Sequence, residues 1–296
     1  MSGTSWHALT LTLPEGLCDP LSGLLIDLGA TGTWLDGDQL HGYFPLEVRP
    51  DEVAHAVAAW HGQLIACGVA AGPIECAWDT EAEGDWITAW QSHFHPTPVG
   101  RMLMVLPEWC PDRDAEGRIP IRIRPGRGFG TGGHDTTATC MERIEVFCNG
   151  RSGLENISVL DVGTGSGILA VAAKKLGCGR VTAFDNDPDA VANARDNMDL
   201  NGISDIPLFT GTTDAVRGQF DLVAANLLAH VIVEIMGELR RLLAPGGTLL
   251  LSGILNEQGD QIDTALAAHG LRAEQYVSRG MWLTIEAGAG ATPRQP

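Results

Sequence analysis

Three short stretches combine residue types at spacings that could do chemistry. In Asp161-Val-Gly-Thr-Gly-Ser-Gly167, Gly163, Gly165 and Gly167 fall between a strand pattern and a helix pattern. Glycines there let the backbone turn tightly and approach a ligand closely. The free N–H groups at the start of the following helix suit an anion such as the carboxylate of a methionine moiety. A dinucleotide-binding turn needs G-x-G-x-x-G. Here the spacing is G-x-G-x-G and Ile168 follows, so an NAD-dependent oxidoreductase fits poorly. Asp185, in Ala183-Phe-Asp-Asn-Asp187, follows Asp161 by 24 residues and ends the next strand pattern. A carboxylate there can accept both hydroxyl protons of a ribose. Asp187 reads as the N-cap of a helix that opens on Pro188.

The third stretch is Ala225-Asn-Leu-Leu228, at the end of a further strand pattern. In a doubly wound sheet, ligands bind beyond the carboxyl ends of the strands. The Asn226 amide can orient an amine nucleophile there without carrying charge, or it can cap the next helix. Upstream, Gly126-Arg-Gly-Phe-Gly-Thr-Gly-Gly-His-Asp-Thr-Thr137 has five glycines in eight residues ahead of a helix start. That composition predicts a mobile flap over a cofactor, with a plain flexible linker as the alternative. His93-Phe-His95 lacks carboxylate or cysteine partners at ligand spacing, so no metal centre is expected.

The elements that must position these residues follow from hydrophobic period. His7–Leu13 alternates apolar and polar residues and predicts a strand. Asp19–Leu28 and Pro50–Ala66 have helical spacing, the first stopped by Gly29, the second with Asp51 and Glu52 in its first turn. Thr33–Leu35 and Leu40–Leu46 read as strands joined through Asp36-Gly37-Asp38, and Ile74–Trp78 as a last strand. The order βαββαβ predicts a small ferredoxin-like α+β domain. Asp85–Phe94 predicts one helix, with Trp86, Trp90 and Phe94 on one face. Met102–Leu106 and Ile119–Ile123 read as strands. From Ser158 strands and helices alternate: Ser158–Val162, Gly167–Leu176, Arg180–Phe184, Pro188–Asn201, Ile206–Thr210, Phe220–Ala225, Leu228–Leu243, Thr248–Ser252, Glu257–His269. That rhythm predicts an α/β, Rossmann-like, doubly wound sheet. Leu271–Val277 and Met281–Glu286 then follow as two strands with no helix between them. They predict an antiparallel last strand, a feature of methyltransferase sheets more than of dinucleotide dehydrogenases.

Composition narrows the setting. The formal net charge is −18. Residues 1–100 carry 13 acidic side chains against the single Arg49. Such a field repels phosphate backbones and attracts basic partners. The seven cysteines form no Cys-x-x-Cys pair, which fits free thiols in a reducing compartment. No signal peptide pattern and no apolar run long enough for a membrane span is present. The expectation is a cytoplasmic monomer with no membrane or direct nucleic-acid partner.

Together, Phe129-Gly-Thr-Gly-Gly-His-Asp-Thr-Thr137, Asp161-Val-Gly-Thr-Gly-Ser-Gly-Ile-Leu-Ala170, Ala225-Asn-Leu-Leu-Ala229 and Leu251-Ser-Gly-Ile-Leu255 resemble the ribosomal protein L11 methyltransferases. Asp85–Pro96 also looks like that family's tryptophan-rich linker helix. The resemblance runs from about residue 85 to residue 286; over residues 1–80 only layout and length agree. It implies a substrate-recognition domain over residues 1–80, a linker helix over 81–97, a class I methyltransferase domain over 98–287 and a disordered tail over 288–296. It implies S-adenosylmethionine as methyl donor, with Thr137, Gly163, Gly165, Gly167, Asp185, Asn226, Phe129 and Thr131 as donor contacts. Asn226 is the expected catalytic residue, orienting the substrate amine; His134 and His230 are alternative proton acceptors beside water. The chain departs from the family's Thr-His-Pro at Gly133-His134-Asp135, and from its small residues and Pro after the Asn motif at His230-Val231. The implied activity is methylation of lysine side chains and the N-terminal α-amine of ribosomal protein L11, a basic substrate. A protein-lysine methyltransferase acting on another protein, such as the electron-transfer flavoprotein β-subunit, is the alternative. A nucleic-acid methyltransferase is disfavoured by charge and by the lack of Asn-Pro-Pro-aromatic at 226. A non-catalytic binder of the donor is the reading from a different class.

Overall fold

Strand β1 (Ser5–Thr12) shows how the first half is built. Leu9, Leu11 and then Leu13 are buried while Thr10 and Thr12 are only partly covered, the period of a sheet with one apolar face. Helix α1 (Cys18–Asp27), strands β2 (Gly32–Asp36) and β3 (Gln39–Pro45), helix α2 (Pro50–Ala66) and strand β4 (Glu75–Ala82) complete this unit. In the computed structural model the sheet order is β2-β3-β1-β4, and every neighbour is antiparallel. With the chain order βαββαβ this is the ferredoxin-like arrangement. Leu21 and Leu25 from α1, and Val53 and Val57 from α2, are spaced four apart. They bury one stripe of each helix with Leu9, Leu11, Leu40 and Phe44 of the sheet.

The structure describes residues 5–13, 17–36, 39–66, 72–82, 94–124 and 134–289. The predicted tryptophan-bearing helix up to residue 93, the glycine-rich flap with Phe129 and Thr131, and residues 290–296 of the tail predicted over 288–296 lie outside the described residues, whereas Gly288, placed in that tail, ends a strand of the second unit. Two compact units divide the chain near residue 95.

The second unit opens on a three-stranded sheet of β5 (Thr97–Val99), β6 (Leu103–Pro107) and β7 (Ile119–Ile123). Helix α3 (Asp135–Cys148) ties to it through one buried carboxylate. Glu145 accepts from the backbone N–H groups of Arg101 (3.0 Å) and Met102 (3.0 Å), which would otherwise be unsatisfied. The main sheet then forms from β8 (Ser158–Val162), β9 (Arg180–Asp185), β10 (Leu208–Thr210), β11 (Phe220–Asn226), β12 (Leu243–Leu255), β13 (Arg272–Arg279) and β14 (Trp282–Gly288). Between them lie α4 (Ile168–Lys175), α5 (Pro188–Leu200), α6 (Ala229–Leu242) and α7 (Gly259–Ala268). The sheet order is β10-β9-β8-β11-β12-β14-β13, parallel except that β14 runs against both its neighbours.

All five residues of β8 are buried, as expected for a central strand covered on both faces. Alternate residues feed two separate cores. Val159 packs with Leu222, Ala224 and Leu250 on one side; Leu160 and Val162 pack with Val223, Ala225, Leu249 and Leu251 on the other. The register Leu222↔Val159 through Ala225↔Val162 brings these sets level. β8 lies between β9 and β11, so connections leave it in opposite directions and a crevice opens at its carboxyl end.

Several boundaries shift from the sequence reading, such as the strand expected at Ile74–Trp78, which runs Glu75–Ala82, and two differences are instructive. Strand β12 begins at Leu243, not at Thr248, because Leu243 pairs with Phe220 before Ala244-Pro-Gly-Gly247 bulges out and pairing resumes at Thr248↔Leu222. Pro and Gly there mark an irregularity within the strand and do not end it. Helix α3, of which the sequence disclosed only the start, runs to Cys148. Among the described residues no helix is long and apolar enough to cross a membrane, and the six described cysteines form no disulfide.

Candidate active site

The turn after β8 is held by a carboxylate that the motif carries within itself. Asp161 is 1% exposed. Its Oδ2 accepts from the Thr164 hydroxyl (2.6 Å) and from the Ala170 N–H in the first turn of α4 (3.1 Å). One group therefore closes the turn and satisfies an N–H that the helix start leaves without a partner. Burial pushes the Asp161 carboxyl up to about 6, opposed by those two hydrogen bonds and assisted by the nearby charge of Asp185. An acid raised in this way binds its proton more tightly folded than unfolded. Its contribution to stability is therefore fullest below the unfolded value of 3.8 and declines as pH rises through about 6. The difference in unfolding free energy between the native chain and Asp161→Asn is expected to move by about 2 kcal/mol between pH 4 and pH 7, against the native chain. Thermal melts of both across that range check this; a difference independent of pH would contradict it.

Gly163, Gly165 and Gly167 have φ of +66°, +54° and +80°, the left-handed region. At Gly163 an added Cβ would also lie 2.5 Å from Leu227 Cδ2. The loop therefore runs directly against the residue that follows Asn226. Gly163→Ala is expected to lower stability by about 1–3 kcal/mol, from a left-handed φ and overpacking together. Measured by denaturant unfolding, part of that loss should return in Gly163→Ala/Leu227→Ala, and the left-handed φ cost should remain.

Asp185 ends β9 and is 9% exposed. Its Oδ2 accepts from the Gly165 N–H (2.9 Å) and its Oδ1 from the Asp187 N–H (3.1 Å). Each carboxylate oxygen keeps a lone-pair direction for a further donor. Asp187 caps α5 by accepting from the Asp189 N–H at 2.9 Å, with Pro188 in the first turn.

Asn226 ends β11. Its Nδ2 donates to Thr137 Oγ1 (3.3 Å), from the first turn of α3, which sets the orientation of the amide. Its Oδ1 is buried and has no hydrogen-bond partner among the described residues. A buried carbonyl oxygen left so costs about 1–3 kcal/mol unless a ligand group meets it. Behind it, Leu227 donates its N–H to Ser252 O (3.0 Å), and Ser252 Oγ is 2.7 Å from Thr284 Oγ1. Gly253, at φ +80°, leaves room for the Leu227 backbone.

The structure thus joins Asp185, Gly165, Gly163, Leu227, Asn226 and Thr137 in one chain of contacts along the carboxyl ends of β9, β8 and β11. His134 stands at the start of α3 as its N-cap: Nδ1 accepts from the Thr136 N–H (3.2 Å) and lies 2.7 Å from Thr136 Oγ1. Asp135 holds the first helical position, where a negative charge suits the helix dipole. The departure from Pro there leaves the cap intact. His230 is exposed in the first turn of α6.

Sequence reasoning assigned no role to Asn197 and Asn201, which link this site to β7. Asn197, fully buried, donates to Ser166 O (2.9 Å) in the glycine loop and accepts from the Arg124 N–H (2.8 Å). Asn201 accepts from the Arg122 N–H (2.9 Å) and donates to Arg122 O (2.7 Å). Two asparagines four apart, one on α5 and one at its C-cap, are the only sequence signal, and it identifies neither partner.

A parallel sheet with a reversed penultimate-in-space strand, a glycine turn at the head of its first strand and an acid at the tip of its second define a class I S-adenosylmethionine-dependent methyltransferase. Within that class the chain belongs to the ribosomal protein L11 methyltransferase family, whose model matches residues 5–289. The ribosomal protein L11 methyltransferase of Geobacter metallireducens is 36% identical over 302 residues, covering 97% of this chain and 99% of its own. That of Geobacter sulfurreducens is 36% identical over 294 residues, with 94% and 96% covered. Among solved structures, the ribosomal protein L11 methylase of Lactobacillus delbrueckii subsp. bulgaricus is 35% identical with a TM-score of 0.58, covering 66% of this chain and 97% of its own. Nothing in these comparisons supports the electron-transfer flavoprotein alternative.

Proposed function

We propose that this chain transfers methyl groups from S-adenosylmethionine to lysine side chains and the N-terminal α-amine of ribosomal protein L11. The observation that carries the reading is the buried Asn226 Oδ1, without a partner among the described residues and fixed by Thr137 beside the glycine loop and Asp185. Relatives of matching length carry that substrate in their names.

The residues present fit the donor. Asp185 offers two carboxylate oxygens to the ribose hydroxyls. Gly163, Gly165 and Gly167 give a backbone turn with no side chain in the way, and the start of α4 gives N–H groups for the amino-acid end. Phe129, Thr131 and Thr137 complete the proposed contacts. When bound, S-adenosylmethionine supplies a methyl group on a sulfonium, already activated for in-line displacement by an amine. The work left to the protein is positioning and exclusion of water. A lysine ammonium near its ordinary pKa of about 10.4 must first lose a proton, and a desolvating pocket lowers that value. Asn226 Oδ1 accepts an N–H of the resulting neutral amine and aims its lone pair; water takes the proton. The acidic first hundred residues favour encounter with a basic protein, an effect that salt screens.

The test is incubation of the chain with purified ribosomal protein L11 and labelled S-adenosylmethionine, followed by peptide mass spectrometry. Methyl groups on lysines and on the α-amine support the reading. An unmodified L11, or label on the electron-transfer flavoprotein β-subunit in its place, would overturn it.

A further inference from the structure

Cys148 closes α3, and Cys178 lies in the turn between α4 and β9. They are 30 positions apart in sequence, yet their Sγ atoms are 3.5 Å apart. Both are buried, at 5% and 1% exposure. The methyl-transfer site uses neither: Cys148 is eleven residues beyond Thr137 on α3, about 16 Å along the helix axis. We propose that Cys148 and Cys178 are a reversible oxidation site, which a hydroperoxide converts to a disulfide closing the segment that holds β8, the glycine loop and α4.

The surroundings set the order of events. Cys148 hydrogen-bonds Cys178 and holds its thiol below the ordinary value, and Lys174 adds to this, against burial and Asp221. The same hydrogen bond and burial push the Cys148 thiol up, opposed by Arg151. Of the two, Cys178, whose thiol is the lowered one, is the sulfur placed to react first, and Cys148 is the thiol that resolves it. The Cys178 sulfur attacks the outer peroxide oxygen, the O–O bond breaks, and water or an alcohol leaves. Cys178 is oxidised to the sulfenic acid and the peroxide is reduced. The Cys148 sulfur then attacks that sulfur, the S–S bond forms, the S–O bond breaks, and the hydroxyl leaves as water with the Cys148 proton. The two sulfurs need approach by only about 1.5 Å to reach bonding distance.

The experiment treats the full chain with hydrogen peroxide, followed by intact-mass measurement and non-reducing peptide mapping. The expected product has lost two hydrogens, links the Cys148 and Cys178 peptides, and reverts with dithiothreitol. Cys140, fully buried with a thiol that burial raises to about 12, should stay unmodified. The midpoint of thermal unfolding should rise by several degrees, because the link constrains the unfolded chain. Methyl transfer should hold within about twofold, given a link about 16 Å from Thr137. In Cys148→Ser the reaction should stop at a Cys178 sulfenic acid that dimedone traps; should that variant fail to fold, the peptide map of the native chain decides alone. Sulfinic or sulfonic acid without a cross-link, no reaction at peroxide levels that oxidise methionine, or a cross-link without a rise in midpoint would overturn the proposal.

Discussion

Replacing Asn226 with alanine is expected to lower kcat by about 10²-fold or more, the scale of a lost positioning contact, while affinity for S-adenosylhomocysteine stays within about threefold. The split follows from geometry. The Asn226 amide is anchored through Nδ2 on Thr137, and only its Oδ1 is left to meet an incoming group. The product nucleoside carries no substrate amine, so its binding should not register the loss. The substitution also removes the donor to the buried Thr137 hydroxyl, at a cost in stability of about 1 kcal/mol. Activity must therefore be measured well below the unfolding midpoint. Single-turnover rates with labelled donor and calorimetry with the product give the two quantities separately. Equal losses in both would show that Asn226 holds the donor and does not orient the amine.

Asp185→Ala is expected to raise the KM for the donor by about 10²-fold or more, with a much smaller change in kcat at saturation. Two hydrogen bonds from ribose hydroxyls to a carboxylate contribute about 1.5–3 kcal/mol each. The same carboxylate accepts from Gly165 and Asp187, so its removal also loosens the glycine loop and the entry to α5. Asp185→Asn keeps an oxygen for one of these N–H groups and should be the milder change. Steady-state kinetics with varied donor concentration measures both variants. A donor KM unaltered in Asp185→Ala would remove the ribose contact from the account.

Much of this could be read in the chain because it is local. Helix α2 matches its expected span because Asp51, Glu52 and the Val53/Val57 stripe are all signals within one element. β8 was plain as a short strand pattern running straight into the glycine turn. The antiparallel β13–β14 pair was legible from two strand patterns with no helix between them. The rest depends on residues far apart in sequence. Glu145 is worth its burial only because the Arg101 and Met102 N–H groups arrive beside it. Asn197 acquires a role only where the glycine loop and the end of β7 meet it. Asp161 stood inside a recognisable motif, but its double hold on Thr164 and Ala170 needs the turn to be closed. The bulge in β12 was hidden because Pro245-Gly246 looks the same whether a strand pauses or starts. At the site, the glycine turn, Asp185 and Asn226 were visible as types and spacings. That Asn226 keeps a buried oxygen free is a fact of packing, which no spacing reports.

The most direct measurement is isothermal titration of the full chain with S-adenosylhomocysteine, with NAD titrated in parallel. One molecule of the nucleoside bound per chain and no heat from NAD is the result expected of a glycine turn spaced G-x-G-x-G beside the Asp185 carboxylate. No interaction with the nucleoside, or saturable binding of NAD in its place, would contradict it.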